Sequence, residues 1–294
     1  MFTGCGTALV TPFRQDLSLD ESTLRGLVRR QLEAGINFLV PCGTTGESPT
    51  LTRAEHLRVV EITLEEAKGK VPVLAGAGGY NTHEVIELAG EIEALGADGI
   101  LSVTPYYNKP TQEGLYQHYR AIASAVRLPI VVYSVQGRTG VNVEPATLAR
   151  LAQIENIVAV KEASGNIGQM ATIFNEVPLD FIVLSGDDAV TIPLAALGGS
   201  GIISVASNEI PAEMTAIAQA CLRNDFVTAR AIQAKFLPLM NINFVESNPI
   251  PVKAAMALMG LLEPVWRLPM VPPSQANLTK IESVLSGVGL LVHQ

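Results

Sequence analysis

Eight short apolar runs, each followed by a helix-like stretch, constrain this chain more than any other feature. The runs are Thr7–Val10, Phe38–Val40, Val71–Ala75, Gly99–Val103, Ile130–Tyr133, Ile157–Lys161, Phe181–Leu184 and Gly201–Ser204, at spacings of about 20 to 33 residues. Runs this short, rich in Val and Ile and without polar alternation, suit strands buried on both faces. Strands alternating with helices in this way are the pattern of an α/β fold, an eight-stranded parallel β/α barrel. The helix boundaries carry their own chemistry. Asp20 is an N-cap for a helix that Gly35 stops, and Thr52-Arg53-Ala54-Glu55 reads as a capping box. Asn81 with Glu84 opens a helix that Gly96 ends, and Pro145 suits a first helical turn. Beyond residue 225 the strand signals stop. Val227–Leu239, Pro251–Met259 and Ser274–Leu285 read as helices. The expected organisation is a catalytic barrel over 1–224 and a C-terminal helical region over 225–294, joined in one folded unit.

Composition narrows the function. The net charge of −8 argues against a nucleic-acid footprint. No apolar run approaches the ~18 residues of a membrane span, and the N-terminus lacks a secretory pattern. Cys5, Cys42 and Cys221 are far apart and odd in number, which fits a reducing cytoplasm and no disulfide or zinc framework. The histidines at 56, 83, 118 and 293 show no metal-ligand spacing, and neither nucleotide-binding glycine motif is present. The chain reads as a cytoplasmic protein acting on small molecules, without metal or cofactor.

In such barrels the site lies at the C-terminal ends of the strands. There the chain places Thr44 and Thr45, Gly78, Tyr106 and Tyr107, Tyr133, Lys161, Gly186 and Ser204. Lys161 is the informative one. A lysine at a strand end can point into a pocket, where desolvation favours the neutral amine. At an unperturbed pKa near ~10.4, only about one lysine in 2,500 is neutral at pH 7. Only that form attacks a carbonyl, so Lys161 is a candidate Schiff-base nucleophile; the ordinary alternative is a lysine that snorkels to water. Gly43-Thr44-Thr45-Gly46 can offer N–H groups and hydroxyls to a carboxylate, or be a plain tight turn. Tyr133 and Tyr107 can move protons during imine formation. Arg138 can clamp a carboxylate. Cys42 reads as core, and Glu47 as a brace for the loop after the second strand.

Phe38-Leu39-Val40-Pro41-Cys42-Gly43-Thr44-Thr45-Gly46-Glu47-Ser48 resembles the first signature of the dihydrodipicolinate synthase and N-acetylneuraminate lyase superfamily. Tyr133 to Val135, with Val160-Lys161-Glu162-Ala163, resembles the second. The likeness runs from Phe2 to about Leu290 and includes Thr104–Pro110, Ser185–Asp188 and Asn248–Lys253. It is nearer to the synthase branch than to the sialate or keto-sugar lyases. The resemblance implies that Lys161 forms a Schiff base with pyruvate. Tyr133, Thr44 and Tyr107 would relay protons, with Tyr107 reaching in from a neighbouring subunit. Thr45, Gly186 and the backbone at Ile203 would hold substrate, and Arg138 the carboxylate of an aldehyde, aspartate semialdehyde. It implies no cofactor and a homotetramer built from dimers.

Regulated members bind lysine at a dimer interface, and the matching positions here are Ser48, His56, Gly78, Tyr80, Glu84 and Tyr106. Pro49, Arg53 and Tyr80 depart from the sensitive pattern, Arg53 by adding a cation, so weak or absent inhibition is expected. Ser134-Val135-Gln136 stands where the family has Asn-Val-Pro, which frees φ ahead of Arg138. Two other readings stay open: an aldolase for a keto-deoxy sugar acid or hydroxy-oxoglutarate, and a non-catalytic ligand-sensing barrel.

Overall fold

Side chains alternating along each strand build two apolar layers at once. Phe38, Val40, Leu74, Leu101, Val131, Ala159, Leu184 and Ile203 point inward and, with Phe2, fill the barrel. Their neighbours, among them Leu39, Ala75, Ile100, Val132, Val160, Val183 and Ile202, face the helices. This double burial is why the runs show no polar alternation. The structure is a computed structural model that describes residues 2–291; His293 lies outside them. Its strands are β1 (Gly4–Ala8), β2 (Phe38–Val40), β3 (Leu74–Gly76), β4 (Gly99–Val103), β5 (Ile130–Ser134), β6 (Ile157–Glu162), β7 (Ile182–Ser185) and β8 (Gly201–Ser204). All pair in parallel, and β1 joins β8 to β2. The ring closes between β2 and β3 through one bridge, Leu39 to Val73, and two bonds: Leu39 N–H to Pro72 O and Gly76 N–H to Pro41 O, each 2.9 Å.

Each strand is followed by a helix: α1 (Glu21–Glu33), α2 (Arg53–Ala67), α3 (Thr82–Leu95), α4 (Gln112–Ala125), α5 (Pro145–Leu151), α6 (Ile167–Glu176), α7 (Thr191–Ala196) and α8 (Pro211–Leu222). The caps form as their residue types dictate. The Asp20 side chain accepts from Thr23 N–H, and the Thr52–Glu55 box is reciprocal. Gly96 ends α3 at φ +86°.

Several element ends shift by one to three residues from expectation, and three differences have a structural reason. The first strand is Gly4–Ala8 rather than Thr7–Val10. Its two glycines hide the apolar pattern, and Gly6 is required because a Cβ there would lie 2.1 Å from the Phe38 ring. The third strand starts at Leu74, since residues 71–73 meet β2 only through the closing bridge. The loop carrying Arg138 holds a one-turn helix, Gln136–Thr139. Gln136 is its first residue, where a free N–H is tolerated and proline would also fit.

The C-terminal helices α9 (Phe226–Ile242), α10 (Ile250–Leu258) and α11 (Gln275–Gly287) share the barrel's outer apolar cluster through Phe236, Leu239, Ala254, Ile281 and Leu285, and Trp266 joins it from the loop between α10 and α11. Arg267 ties this region to the barrel. It donates to Leu17 O, to Thr50 O and to both Glu55 oxygens, and stacks 4.2 Å from the Phe13 ring. Its bonds hold the Glu55 carboxyl down at about 2. The unfolded carboxyl titrates near ~4.3, so this stabilisation is present above that pH and lost as the pH falls towards the folded value. Arg267→Ala is expected to cost about 1–2 kcal/mol at neutral pH, after allowance for solvent screening. In urea titrations the difference should shrink on going from neutral pH to the lower part of that window. A difference that stays constant would remove Glu55 as its cause.

Candidate active site

Lys161 is set by the register of three strands. It lies opposite Tyr133 of β5 and Leu184 of β7. Period-two alternation turns Ala159 and Lys161 inward, and Val160 and Glu162 outward. The outward Glu162 secures the strand end: it accepts from Ser164 N–H and from Gln169 Nε2, each at 2.9 Å. Lys161 is only 5% exposed, and its Nζ lies 4.2 Å from the centre of the Tyr133 ring. Among the described residues it has no ion-pair partner. The amine therefore sits against the Tyr133 ring, with no carboxylate paired to it among the described residues.

A cavity of about 120 Å³ opens on Lys161, Tyr133, Thr44, Thr45, Arg138 and Gly186. Residues from four strand ends and from the Arg138 turn so converge on one amine. At β8 the cavity wall is Val205, while the Ile203 side chain is buried in the barrel interior. The β8 turn is held by Asp188, whose carboxylate accepts from the Ser204 hydroxyl at 2.5 Å and from the N–H groups of Val205 and Ala206. Burial pushes the Asp188 carboxyl up, and these bonds oppose the shift. Tyr107 is not in this cavity. Its side chain is 89% exposed, on a backbone at φ +49°.

Two further cavities of about 240 Å³ each adjoin the first and share Thr44. One leads outward past Arg138, Asn248, Pro49, Pro269 and Met270. The other is lined by Ser48, His56, Gly78, Tyr80, Glu84 and Tyr106. His56 Nε2 lies 2.8 Å from Gly76 O and so donates, and burial pushes the imidazole towards neutrality. Tyr80 and Tyr106 meet edge to face at 5.1 Å. Arg53 does not line this cavity. It pairs with Glu91 at 2.6 Å, so the cation expected there is offset by a carboxylate.

Sequence reasoning gave no role to Asn248 or Lys253, although both stand in a segment that carried the family resemblance. Asn248 lines the Lys161 cavity and donates to the Thr45 hydroxyl at 2.9 Å. No local pattern signals a partner some 200 residues away in the chain.

Gly186 leaves no room for a side chain beside Lys161. A Cβ there would lie 2.7 Å from Ala163 Cβ and 3.2 Å from Lys161 Cε. Gly186→Ala is expected to displace the amine and slow imine formation about 100-fold, as small misplacements of a reacting group do. Rapid-mixing rates of imine formation check this; an unchanged rate would show that the neighbours yield.

The Dihydrodipicolinate synthetase family model matches residues 1–288. The 4-hydroxy-tetrahydrodipicolinate synthase of Koribacter versatilis is 55% identical over 98% of this chain and 96% of its own. The dihydrodipicolinate synthase structure from Thermotoga maritima is 48% identical with a TM-score of 0.97, covering 99% of this chain and all of that one. That of Acinetobacter baumannii, solved with pyruvate, is 42% identical with a TM-score of 0.97 at the same coverage.

Proposed function

This chain belongs to the dihydrodipicolinate synthetase family, and from that premise we propose that it is a 4-hydroxy-tetrahydrodipicolinate synthase. It condenses pyruvate with L-aspartate 4-semialdehyde in lysine and diaminopimelate biosynthesis. The observation that carries this reading is the buried Lys161 amine against Tyr133, without an ion-pair partner among the described residues, in one cavity with two threonines and an arginine.

The neutral Lys161 amine attacks the ketone carbon of pyruvate, and water leaves to give the imine. Loss of a methyl proton gives the enamine, which attacks the aldehyde carbon. Cyclisation through the substrate's own amine then expels Lys161 and releases product. Tyr133 and Thr44 carry the protons, beside the amine they serve. Thr45, Gly186 and the backbone at Ile203 seat pyruvate. Arg138, at the outer side of the cavity, takes the carboxylate of the second substrate. That cation favours an anionic amino-acid aldehyde over a neutral polyol.

Tyr107 completes the relay only if a second copy of the chain brings it in. An exposed tyrosine held in the left-handed region is consistent with such a role. The assembly is a cytoplasmic homotetramer, a dimer of dimers. Among the described residues no helix is long and apolar enough to cross a membrane.

Borohydride trapping tests the core of the proposal. Pyruvate with reductant should leave one adduct, on Lys161, and aspartate semialdehyde should turn over in preference to sugar-derived aldehydes. No adduct in a folded sample would sink the enzyme reading, and preference for a sugar aldehyde would move it to the lyase branch.

Lysine is the expected ligand class for the Glu84–His56 cavity, and weak or absent inhibition is the expected result. The reason rests on Tyr80, whose ring lines the cavity and packs on Tyr106, more than on the neutralised Arg53. Inhibition at micromolar lysine in a steady-state assay would refute this.

A further inference from the structure

The turn that carries Thr44 and Thr45 is held by residues it meets only in the folded chain. Two of its side-chain-bearing residues, Cys42 and Glu47, stand at φ +56° and +52°. Such conformations persist only where the surroundings over-determine them. Thr11 donates to Gly46 O at 2.7 Å, and the other anchors come from the far end of the sequence. Asn248 Nδ2 donates to Thr45 Oγ1 at 2.9 Å, and Lys253 Nζ donates to Glu47 Oε1 at 2.6 Å. Arg138 donates to the carbonyl of the same Asn248 at 3.2 Å. One short segment therefore touches both the threonine turn and the arginine loop.

The Lys253–Glu47 pair is fully buried, at 0% and 1% exposure. In every other ion pair among the described residues at least one side chain is a quarter or more exposed. The Phe13 ring lies 4.5 Å from the Lys253 ammonium and carries Arg267 as well. Burial pushes the Lys253 ammonium down, and Glu47 pulls it back up. Glu47 Oε2 has no partner among the described residues, so Lys253 alone orients the carboxylate through a side chain. A buried ion pair is a poor source of stability, because apolar residues of like volume often serve as well. What it supplies is direction.

We propose that Lys253 is a positioning residue: paired with Glu47, it sets the turn that places Thr44 and Thr45 at the Lys161 cavity, and through Asn248 it keeps the Arg138 loop in register with that turn. This rests on the proposed synthase reading. The test separates the two. Borohydride with pyruvate first counts the chains able to form the Lys161 adduct, and turnover is then expressed per trappable site. A merely stabilising pair would change the number of active chains and leave per-site turnover alone. For Glu47→Met/Lys253→Met, which keeps apolar volume, we expect the adduct to form. We also expect per-site kcat to fall at least about tenfold and KM for the aldehyde to rise. Per-site kcat within about twofold of the unaltered protein would overturn the proposal. If that variant fails to fold, Glu47→Gln keeps shape and acceptor. It should lose at least about threefold per site, and no loss would overturn the proposal equally. An unaltered protein that forms no adduct would instead overturn the synthase reading and this inference with it.

Discussion

Lys161→Met will leave a folded protein with no pyruvate adduct and turnover lower by at least about four orders of magnitude, the scale on which covalent nucleophiles are lost. Methionine matches the lysine stem in length and lacks the amine. The side chain is buried and has no carboxylate partner among the described residues, so its removal strands no opposite charge there. The melting temperature should therefore hold or rise, since a buried amine costs desolvation that a thioether does not. This combination is what distinguishes a nucleophile from a structural lysine. Mass spectrometry after borohydride treatment and a calorimetric scan read both halves. An adduct that persists on another lysine would remove Lys161 from the chemistry. A large fall in melting temperature would give it a structural part.

Lys253→Met should do the reverse to stability. Removing one member of a buried pair leaves the Glu47 carboxylate without its partner, at a cost of about 3–5 kcal/mol. For a chain of this length that corresponds to a melting temperature lower by roughly 5–8 °C. Adding Glu47→Met should recover most of the loss, because the double variant buries no charge. The two lysines are both interior and differ in whether a carboxylate faces them. Equal stability of the single and double variants in denaturant titrations would show that the Glu47 carboxylate finds water or another partner without penalty.

Most of the fold was legible because its signals are local. Asp20, the Thr52–Glu55 box, Asn81 and Gly96 mark helix ends through bonds made within a turn of chain, and each forms as its residues dictate. The uninterrupted apolar runs signalled strands covered on both sides, while which residues face the barrel interior was settled only by the folded layers. The first strand was misplaced where glycines carry no hydropathy signal: the size of Phe38, a residue of another strand, is what requires Gly6. The short helix at Gln136–Thr139 was missed because a single turn has no period to detect.

The candidate site divides in the same way. Lys161, Tyr133 and the threonines could be named because strand ends in a barrel share one face, so position along each strand implied convergence. By itself the sequence determined the strand count, the order of elements and the amine at the end of β6. Tertiary structure alone decided that β2 and β3 close the ring through a single bridge, that Arg53 is neutralised by Glu91, and that Tyr107 faces away from its own chain's cavity. It also decided that Lys253 of the C-terminal region pairs with Glu47 in the turn after β2. The reason is physical. Propensity, capping and periodicity act over a few residues and are written in adjacent letters. A bond between residues some 200 apart exists only once the barrel has formed and brought its two halves to the same mouth.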